Sequence, residues 1–271
     1  MSGIASIKLL RQNVPMNTPR PALLFADQTI VINGATGSIG QAVAFDLQRQ
    51  GAQLILFGRK SDRLNHLADA LTQELSDADR HRAPLIQTVD FSGAAIEDYQ
   101  TLTHAIASAV GRIDILIHAM GQGGQLRPLA HSDLLEFQTS LHLNLTVPFA
   151  LTRSLWLLLE PAAEPTQPEP RTRKPQILFF TDRGTPAFGN AYTLAHAALA
   201  RMIEQWACET TAVRINGLDP GPTHSGLRQY RFPGEAKAER ATADDLLPAL
   251  HELLLDETCH GQIIRLQPDR I

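Results

Sequence analysis

The chain has 271 residues, of which 44% are hydrophobic and 19% are charged, a composition typical of a globular protein with one substantial core. Its net charge of −4 argues against nucleic acid as a partner, and it has no apolar run of membrane-spanning length. The two cysteines, Cys208 and Cys259, form neither a disulfide framework nor a metal-ligand spacing, so we expect a cytoplasmic protein without a metal site.

Residues 1–26 form an N-terminal extension before the first predicted strand, with no acidic residue and with Lys8, Arg11 and Arg20. This composition faintly resembles a transit peptide, although no secretory core region or cleavage site follows. An arm that packs on the domain or on a partner subunit, and translation from Met16, are the alternatives. Residues 27–271 are predicted to form a single domain.

The stretch from Thr29 to Gly40 predicts a nucleotide site. Four β-branched residues at 29–32 predict a buried strand, and the four-residue spacing of Ile39, Val43 and Leu47 predicts a helix. Between them lies a glycine turn, which lets backbone approach a pyrophosphate at the helix N-terminus. The residues expected to bind it are Gly34, Thr36, Gly37, Ser38, Ile39 and Gly40. The alternative is a strand-to-helix turn without a ligand.

Strands and helices alternate along the rest of the chain. Six further strands are predicted at residues 53–57, 84–89, 113–118, 176–180, 212–218 and 262–266. A helical pattern from Ser132 to about Glu160 contains Pro148, which should kink it. Residues 160–175 are a proline-rich exposed insertion, and residues 219–240 are predicted to be a long loop. The fold class is α/β: a Rossmann-type, doubly wound, seven-stranded, mostly parallel sheet with helices on both faces.

Ligands of such sheets bind beyond the strand C-termini, so residues there are informative. Arg59 follows the second strand, at the position where an NAD-binding site has an acid that accepts a hydrogen bond from the ribose 2′-hydroxyl. A guanidinium suits a 2′-phosphate instead, so Arg59 favours NADP(H) over NAD(H). The alternative for Arg59 is a solvated charge at a strand end. Asp90, followed by Phe91, could accept the adenine amino group or simply cap the next turn.

Two other strand ends complete the predicted cofactor site. His118, Ala119 and Gly121 would form its floor after the fourth strand, although His118 is also typical of a satisfied core histidine. Pro220 and Gly221 turn the chain sharply after the sixth strand, where Thr223 could hold a nicotinamide carboxamide.

Tyr192 and His196 share a helix face after the fifth strand. A tyrosine can give a proton to a carbonyl oxygen as hydride reaches the carbon, but its ordinary pKa near 10 calls for a cationic neighbour. Thr181 could hydrogen-bond the same carbonyl. The alternatives are a tyrosine at a packing interface and a passive histidine.

Together these residues resemble the short-chain dehydrogenase/reductase family over residues 27–267. The resemblance lies in the turn G-A-T-G-S-I-G, Arg59, Asp90, Asn144, Tyr192 and the Pro220–Gly221 turn. It implies an NAD(P)-dependent oxidoreductase acting on a small-molecule carbonyl or alcohol. It also implies a homodimer or homotetramer that contacts its partners through the long helix and the Tyr192 helix.

The chain departs from the family at its catalytic motif. In place of the family motif Y-x-x-x-K the chain has Tyr192 and His196, so the lysine is missing. The family serine is expected thirteen residues before the tyrosine, where this chain has Phe179. Only a shorter loop would bring Thr181 to the position of that serine. The catalytic set is then Asn144, Thr181, Tyr192 and His196. The family lysine holds the nicotinamide ribose and lowers the tyrosine pKa, and a neutral histidine can do only the first. A working reductase, a catalytically impaired NADP(H)-binding sensor or assembly subunit, and a scaffold with an unrelated ligand are therefore all considered.

Overall fold

The computed structural model describes residues 23–26, 28–160, 173–184, 187–236 and 240–266. Seven parallel strands form one sheet in the order β3-β2-β1-β4-β5-β6-β7. Their bounds are Thr29–Asn33 (β1), Gln53–Gly58 (β2), Leu85–Thr88 (β3), Ile115–His118 (β4), Gln176–Phe180 (β5), Arg214–Asp219 (β6) and Ile263–Arg265 (β7). The predicted α/β fold is confirmed.

The connecting segments contain eight α-helices among the described residues. These are Ser38–Arg49 (α1), Ser61–Glu74 (α2), Ile96–Val110 (α3), Leu134–Leu141 (α4), Val147–Leu159 (α5), Asn190–Glu209 (α6), Gly226–Arg231 (α7) and Leu247–Leu255 (α8). In the described part of the chain, none of them is both long and apolar enough to cross a membrane.

The sheet is buried on both faces because successive side chains of a strand point in opposite directions. Ile30 and Ile32 of β1 belong to one core, which includes residues of α1, α2 and α8. Val31 belongs to the other core, which includes residues of α3, α5 and α6. β1 lies between β2 and β4, so the strand order reverses beside it. This switch point places the glycine turn at the carboxyl edge of the sheet.

The long helical pattern from Ser132 is divided. Its first part, α4, begins at Leu134, where Asp133 caps the helix by accepting a hydrogen bond of 2.8 Å from the Glu136 amide. A π-helical turn, His142–Thr146, then leads into α5. Pro148 lies in the first turn of α5 and has no N–H to donate to the carbonyl four residues before it, so the irregular turn falls just upstream of the proline.

The prediction that residues 219–240 form only a loop is wrong, because α7 lies within them. Ser225 caps this helix by accepting a hydrogen bond of 3.0 Å from the Arg228 amide. Six residues are too few to show helical periodicity in the sequence, and so the pattern missed it.

Part of the N-terminal extension packs on the domain. Phe25 is fully buried in one core, and its amide donates to the Gln50 carbonyl at 2.9 Å. Residues 1–22 of the extension and 161–172 of the predicted insertion lie outside the described residues.

Candidate active site

A cleft of about 460 Å³ opens at the carboxyl edge of the sheet. Most of the residues predicted from sequence line it: Gly34, Thr36, Gly37, Ser38, Ile39, Arg59, Asp90, Phe91, Ala119, Gly121, Thr181, Tyr192, His196, Pro220, Gly221 and Thr223. Gly40, His118 and Asn144 do not line it. All but these three of the predicted cofactor-binding and catalytic residues thus share one cavity.

The three glycines of the turn have different surroundings. Gly34 has a φ of +85°, and a Cβ there would lie 2.5 Å from the Met120 amide nitrogen at the end of β4. A Cβ on Gly40 would collide with the Gly34 carbonyl, so Gly40 serves close packing of the helix on the turn. A Cβ on Gly37 would meet only the Gly34 oxygen, at 3.4 Å. Gly37 is therefore the glycine that leaves space on the side of the cleft.

The N-terminus of α1 fits an anion. Gly37 is its N-cap residue, no side chain caps it, and its first turn contains no acidic residue. The first amide groups of a helix have no partner within the helix, and the helix dipole places positive potential there. The free amide groups at this helix N-terminus therefore fit a pyrophosphate.

Three cations line the cleft between the end of β2 and the first turn of α2: Arg59, Lys60 and Arg63. After the neighbouring strand β3, Asp90 accepts hydrogen bonds from the Ser92 amide at 3.0 Å and the Ser92 hydroxyl at 2.6 Å. These bonds, with a smaller contribution from Arg59, lower the pKa of Asp90. Asp90 thus caps the turn after β3, and its contact with an adenine stays a prediction.

The His118 side chain turns into the core. Its Nε2 lies 2.8 Å from the Thr152 hydroxyl, and its ring stacks on Phe179 at 4.7 Å. Burial lowers the pKa of His118 to about 3, so the ring is neutral. The structure therefore favours the core-histidine interpretation over a side-chain role in the cofactor floor, where only its neighbours Ala119 and Gly121 line the cleft.

Asn144 lies in the π turn and holds the glycine-rich loop after β4. Its Oδ1 accepts from the Gln122 amide at 2.9 Å, and its Nδ2 donates to the carbonyls of Gln122 at 2.6 Å and Ser140 at 2.7 Å. Both ends of the amide are engaged with the backbone. Asn144 can therefore act on the cleft by positioning Gln122, which lines it.

Thr181, Tyr192 and His196 converge at one end of the cleft. The Tyr192 and His196 rings lie 4.4 Å apart, and both residues are at most 6% exposed. The Thr181 hydroxyl and both ring nitrogens of His196 are buried without a partner in the described structure. Buried polar atoms of this kind are costly unless a ligand satisfies them, so they fit hydroxyl or carbonyl groups of bound molecules.

The two candidates for the serine position, Phe179 and Thr181, lie in different surroundings. Phe179 points into the core, whereas Thr181 follows β5 and lines the cleft with Tyr192. Thr181 is thus the hydroxyl residue that the shortened-loop alignment brings to the cleft, and its role beside Tyr192 stays a prediction.

Two charged residues beside Tyr192 had been given no role by the sequence. Asp182 is the residue after Thr181, and Arg231 comes from α7. Burial, reinforced by Asp182, raises the pKa of Tyr192 well above its usual value, while Arg231 opposes the rise. Burial also lowers the pKa of His196 to about 4, so this histidine is neutral near pH 7. The only sequence signal for Arg231 was that the predicted loop is rich in arginine.

The turn after β6 is built around Asp219. Its carboxylate accepts from the Gly221 amide at 3.0 Å and the Arg183 amide at 3.1 Å. The Thr223 hydroxyl donates to the Pro220 carbonyl at 3.3 Å. These bonds hold Pro220, Gly221 and Thr223 at the Tyr192 end of the cleft.

Comparison with known proteins agrees with this geometry. The chain is 28% identical over 255 residues to an uncharacterised oxidoreductase, YciK, of Escherichia coli K12, covering 91% of this chain and 94% of the relative. It is 28% identical over 221 residues to the short-chain dehydrogenase/reductase FrzI of Cladobotryum, covering 78% and 76%.

Solved structures show the same fold. A putative short chain dehydrogenase of Shigella flexneri complexed with NADP superposes with a TM-score of 0.82 at 25% identity, covering 91% of this chain and 100% of that one. One from Escherichia coli CFT073 complexed with NADPH gives 0.81 at 26%, covering 92% and 100%. The short chain dehydrogenase family model matches residues 28–236, and the chain therefore belongs to the short-chain dehydrogenase/reductase family.

Proposed function

We propose that this chain is an NADP(H)-dependent oxidoreductase that transfers a hydride between NADPH and a small-molecule carbonyl or alcohol, with Tyr192 as acid and base. One observation carries the proposal: a single cleft contains the uncapped N-terminus of α1, three cations between the end of β2 and the first turn of α2, and Tyr192 beside two unpartnered polar residues. The NADP and NADPH complexes of the similar proteins support the choice of cofactor.

The proposed chemistry assigns a separate task to each residue. When bound, the reduced nicotinamide supplies a hydride to the substrate carbonyl carbon. The Tyr192 O–H bond breaks, its proton goes to the carbonyl oxygen, and the phenolate later regains a proton from water. The Thr181 hydroxyl donates a hydrogen bond to that oxygen. The neutral His196 ring holds a ribose hydroxyl, which satisfies a buried nitrogen.

Tyr192 is protonated at neutral pH because burial raises its pKa well above the usual value. A protonated tyrosine can donate, whereas alcohol oxidation needs it ionised first. The site therefore suits carbonyl reduction more than alcohol oxidation, and a preference for NADPH agrees with that direction.

A second candidate function follows from His196. The histidine is neutral near pH 7, so it cannot supply the charge of the family lysine. A catalytically impaired member would bind NADP(H) and serve as a sensor or an assembly subunit. Fluorescence titration with NADPH and NADH, followed by NADPH oxidation with a panel of carbonyls, separates the two. Binding without turnover supports the second candidate, and no binding of either nucleotide contradicts both.

Replacing Arg59 by serine is expected to weaken NADPH binding by about 10- to 100-fold, because a guanidinium pairs with the 2′-phosphate by charge-assisted hydrogen bonds. NADH binding, measured in the same titration, should stay unchanged. Arg201→Ser, which removes an exposed arginine on α6, is the matched control. If both nucleotides lose affinity equally, Arg59 does not read the 2′-phosphate.

We also propose a homodimer or homotetramer, as the family resemblance implies. Phe149 and Leu157 on α5 and Leu194 on α6 are 46%, 82% and 46% exposed. The two helices contact each other through stacked Trp156 and Trp206 rings, 5.6 Å apart. Exposed apolar side chains on adjacent helices are typical of a subunit interface.

The double variant Phe149→Glu with Leu157→Glu is therefore expected to convert the oligomer into monomers, because burying two carboxylates at an interface is costly. Light scattering coupled to size-exclusion chromatography measures the mass. Leu85→Glu, on the edge strand β3, should leave the mass unchanged. A wild-type monomer would refute the proposed assembly.

A further inference from the structure

The Tyr192 ring packs against an arginine from another element. Arg231, the last residue of α7, places its guanidinium carbon 4.1 Å from the centre of the ring. The arginine is 5% exposed, so water screens this contact poorly. A cation over the face of an aromatic ring is attracted by it, and the attraction grows when the ring system becomes negative.

The glycine-rich loop is shaped around this pair. A Cβ on Gly123 would lie 2.6 Å from Arg231 Nη1 and 2.9 Å from Tyr192 Cδ2, so no larger residue fits there without displacing the pair. The guanidinium donates to the carbonyls of Gly124 at 3.4 Å and Gly189 at 3.5 Å. Backbone from two loops thus holds the arginine over the tyrosine.

The charge of Arg231 is not neutralised by an ion pair. Within the described residues, no carboxylate lies within 4.0 Å of its guanidinium, and its Nε is buried without a partner. Burial lowers the pKa of Arg231, but a guanidinium stays protonated in proteins. The arginine therefore keeps a full positive charge in the cleft.

The other ionisable groups that shift the pKa of Tyr192 are Asp182 and Asp219, and the His196 ring lies 4.4 Å from the Tyr192 ring. The two aspartates disfavour a phenolate, and His196 is neutral because burial lowers its pKa to about 4. In the part of the chain that the structure describes, Arg231 is the group whose charge favours ionisation of Tyr192.

We propose that Arg231 is a positioning residue that supplies, from α7, the positive charge that the family motif takes from the lysine at the position of His196. The inference rests on the proposed function in so far as Tyr192 transfers a proton. As the Tyr192 proton moves to the substrate oxygen, negative charge develops on the phenolate, and the guanidinium stabilises it at short range. Because the charge comes from α7, the segment after β6 completes the proton-transfer site.

The first test compares Arg231→Met, Arg231→Lys and Arg231→Met combined with His196→Lys, using NADPH and the neutral dicarbonyl 9,10-phenanthrenequinone. Arg231→Met should lower kcat by about 10- to 100-fold with NADPH affinity unchanged, because an opposite charge nearby shifts a pKa by about one to three units. Arg231→Lys should retain part of kcat, and the double variant should recover it. Arg231→Gln replaces Arg231→Met if the latter does not fold.

An unchanged kcat in Arg231→Met would overturn the inference. So would a loss confined to KM that the lysine at position 196 does not restore, because that pattern assigns Arg231 to substrate binding. The neutral probe removes a substrate carboxylate from the comparison.

A second readout needs no turnover. Two variants are compared: Asp182→Asn alone, and Asp182→Asn combined with Arg231→Met. The absorbance of tyrosinate at 295 nm is recorded for each after rapid jumps to pH values up to 10.5. The signal of the same variant carrying Tyr192→Phe is subtracted, which leaves the contribution of Tyr192. Removing Arg231 should raise the pH at which the tyrosinate absorbance begins to increase by about one unit or more. A rise in tyrosinate absorbance that begins at the same pH in both variants would show that Arg231 does not act on Tyr192. If the wild type reduces neither phenanthrenequinone nor any other carbonyl of the panel but the onset of tyrosinate absorbance moves, the proposed function fails and the charge pairing stands.

Discussion

Replacing Tyr192 by phenylalanine is expected to lower kcat for NADPH-dependent carbonyl reduction by roughly 10²- to 10⁴-fold, the usual contribution of general acid catalysis. The change removes one oxygen and keeps the ring, which contacts His196 at 4.4 Å and Arg231 at 4.1 Å. NADPH affinity and the melting temperature should therefore stay close to those of the wild type. Initial-rate kinetics and a fluorescence titration measure the two effects.

Tyr230→Phe is the matched control. Tyr230 lies next to Arg231 in α7 but is 54% exposed, and losing its hydroxyl should not affect kcat. If Tyr192→Phe keeps wild-type turnover, the proton comes from another group and the role given to Tyr192 is wrong. If the wild type itself binds NADPH without turnover, the sensor or assembly function becomes the better proposal.

Replacing Gly37 by aspartate is expected to weaken NADPH binding by at least about 100-fold without unfolding the protein. Gly37 has a φ of −77°, which any residue adopts, and a Cβ there meets only the Gly34 oxygen at 3.4 Å. The fold therefore tolerates the side chain. The carboxylate would occupy the space in front of the α1 amides and repel the pyrophosphate.

Gly40→Ala is the contrasting variant because its Cβ would collide with the Gly34 carbonyl. We expect it to cost about 1–3 kcal/mol of stability, the usual effect of overpacking, and to lower the melting temperature. Fluorescence titration and thermal unfolding distinguish the two glycines. Wild-type NADPH affinity in Gly37→Asp would mean that the pyrophosphate does not bind at the N-terminus of α1.

Local patterns were sufficient for most of the fold. A strand that is buried on both faces is a short apolar run, and such a run can be recognised without knowing which strands pair with it. The predicted strands at 29–32 and 176–180 were recognised in this way, and both lie in the sheet. The glycine turn was recognisable for the same reason, since its backbone requirement is local. Local patterns did not predict α7, because a helix of six residues shows little periodicity.

The chemistry at the strand ends depended more on context. His118 ends one predicted strand and Arg59 lies just beyond another, yet His118 turns into the core beside Thr152 and Arg59 lines the cleft. The amide of Asn144 in the π turn contacts the backbone of Gln122, and the catalytic role expected of Asn144 stays a prediction. Neither outcome is encoded in the spacing of the residues, because each is decided by groups far away in the chain.

The sequence by itself determined the α/β class, the glycine turn and the tyrosine helix, because each depends on residues close together in the chain. Only the tertiary structure decided which charge faces Tyr192. The family motif would place a cation one helical turn after the tyrosine, but His196 is buried and its pKa is lowered to about 4. Arg231 reaches the ring from α7 because Gly123 leaves room for it, and that contact exists only once the chain has folded.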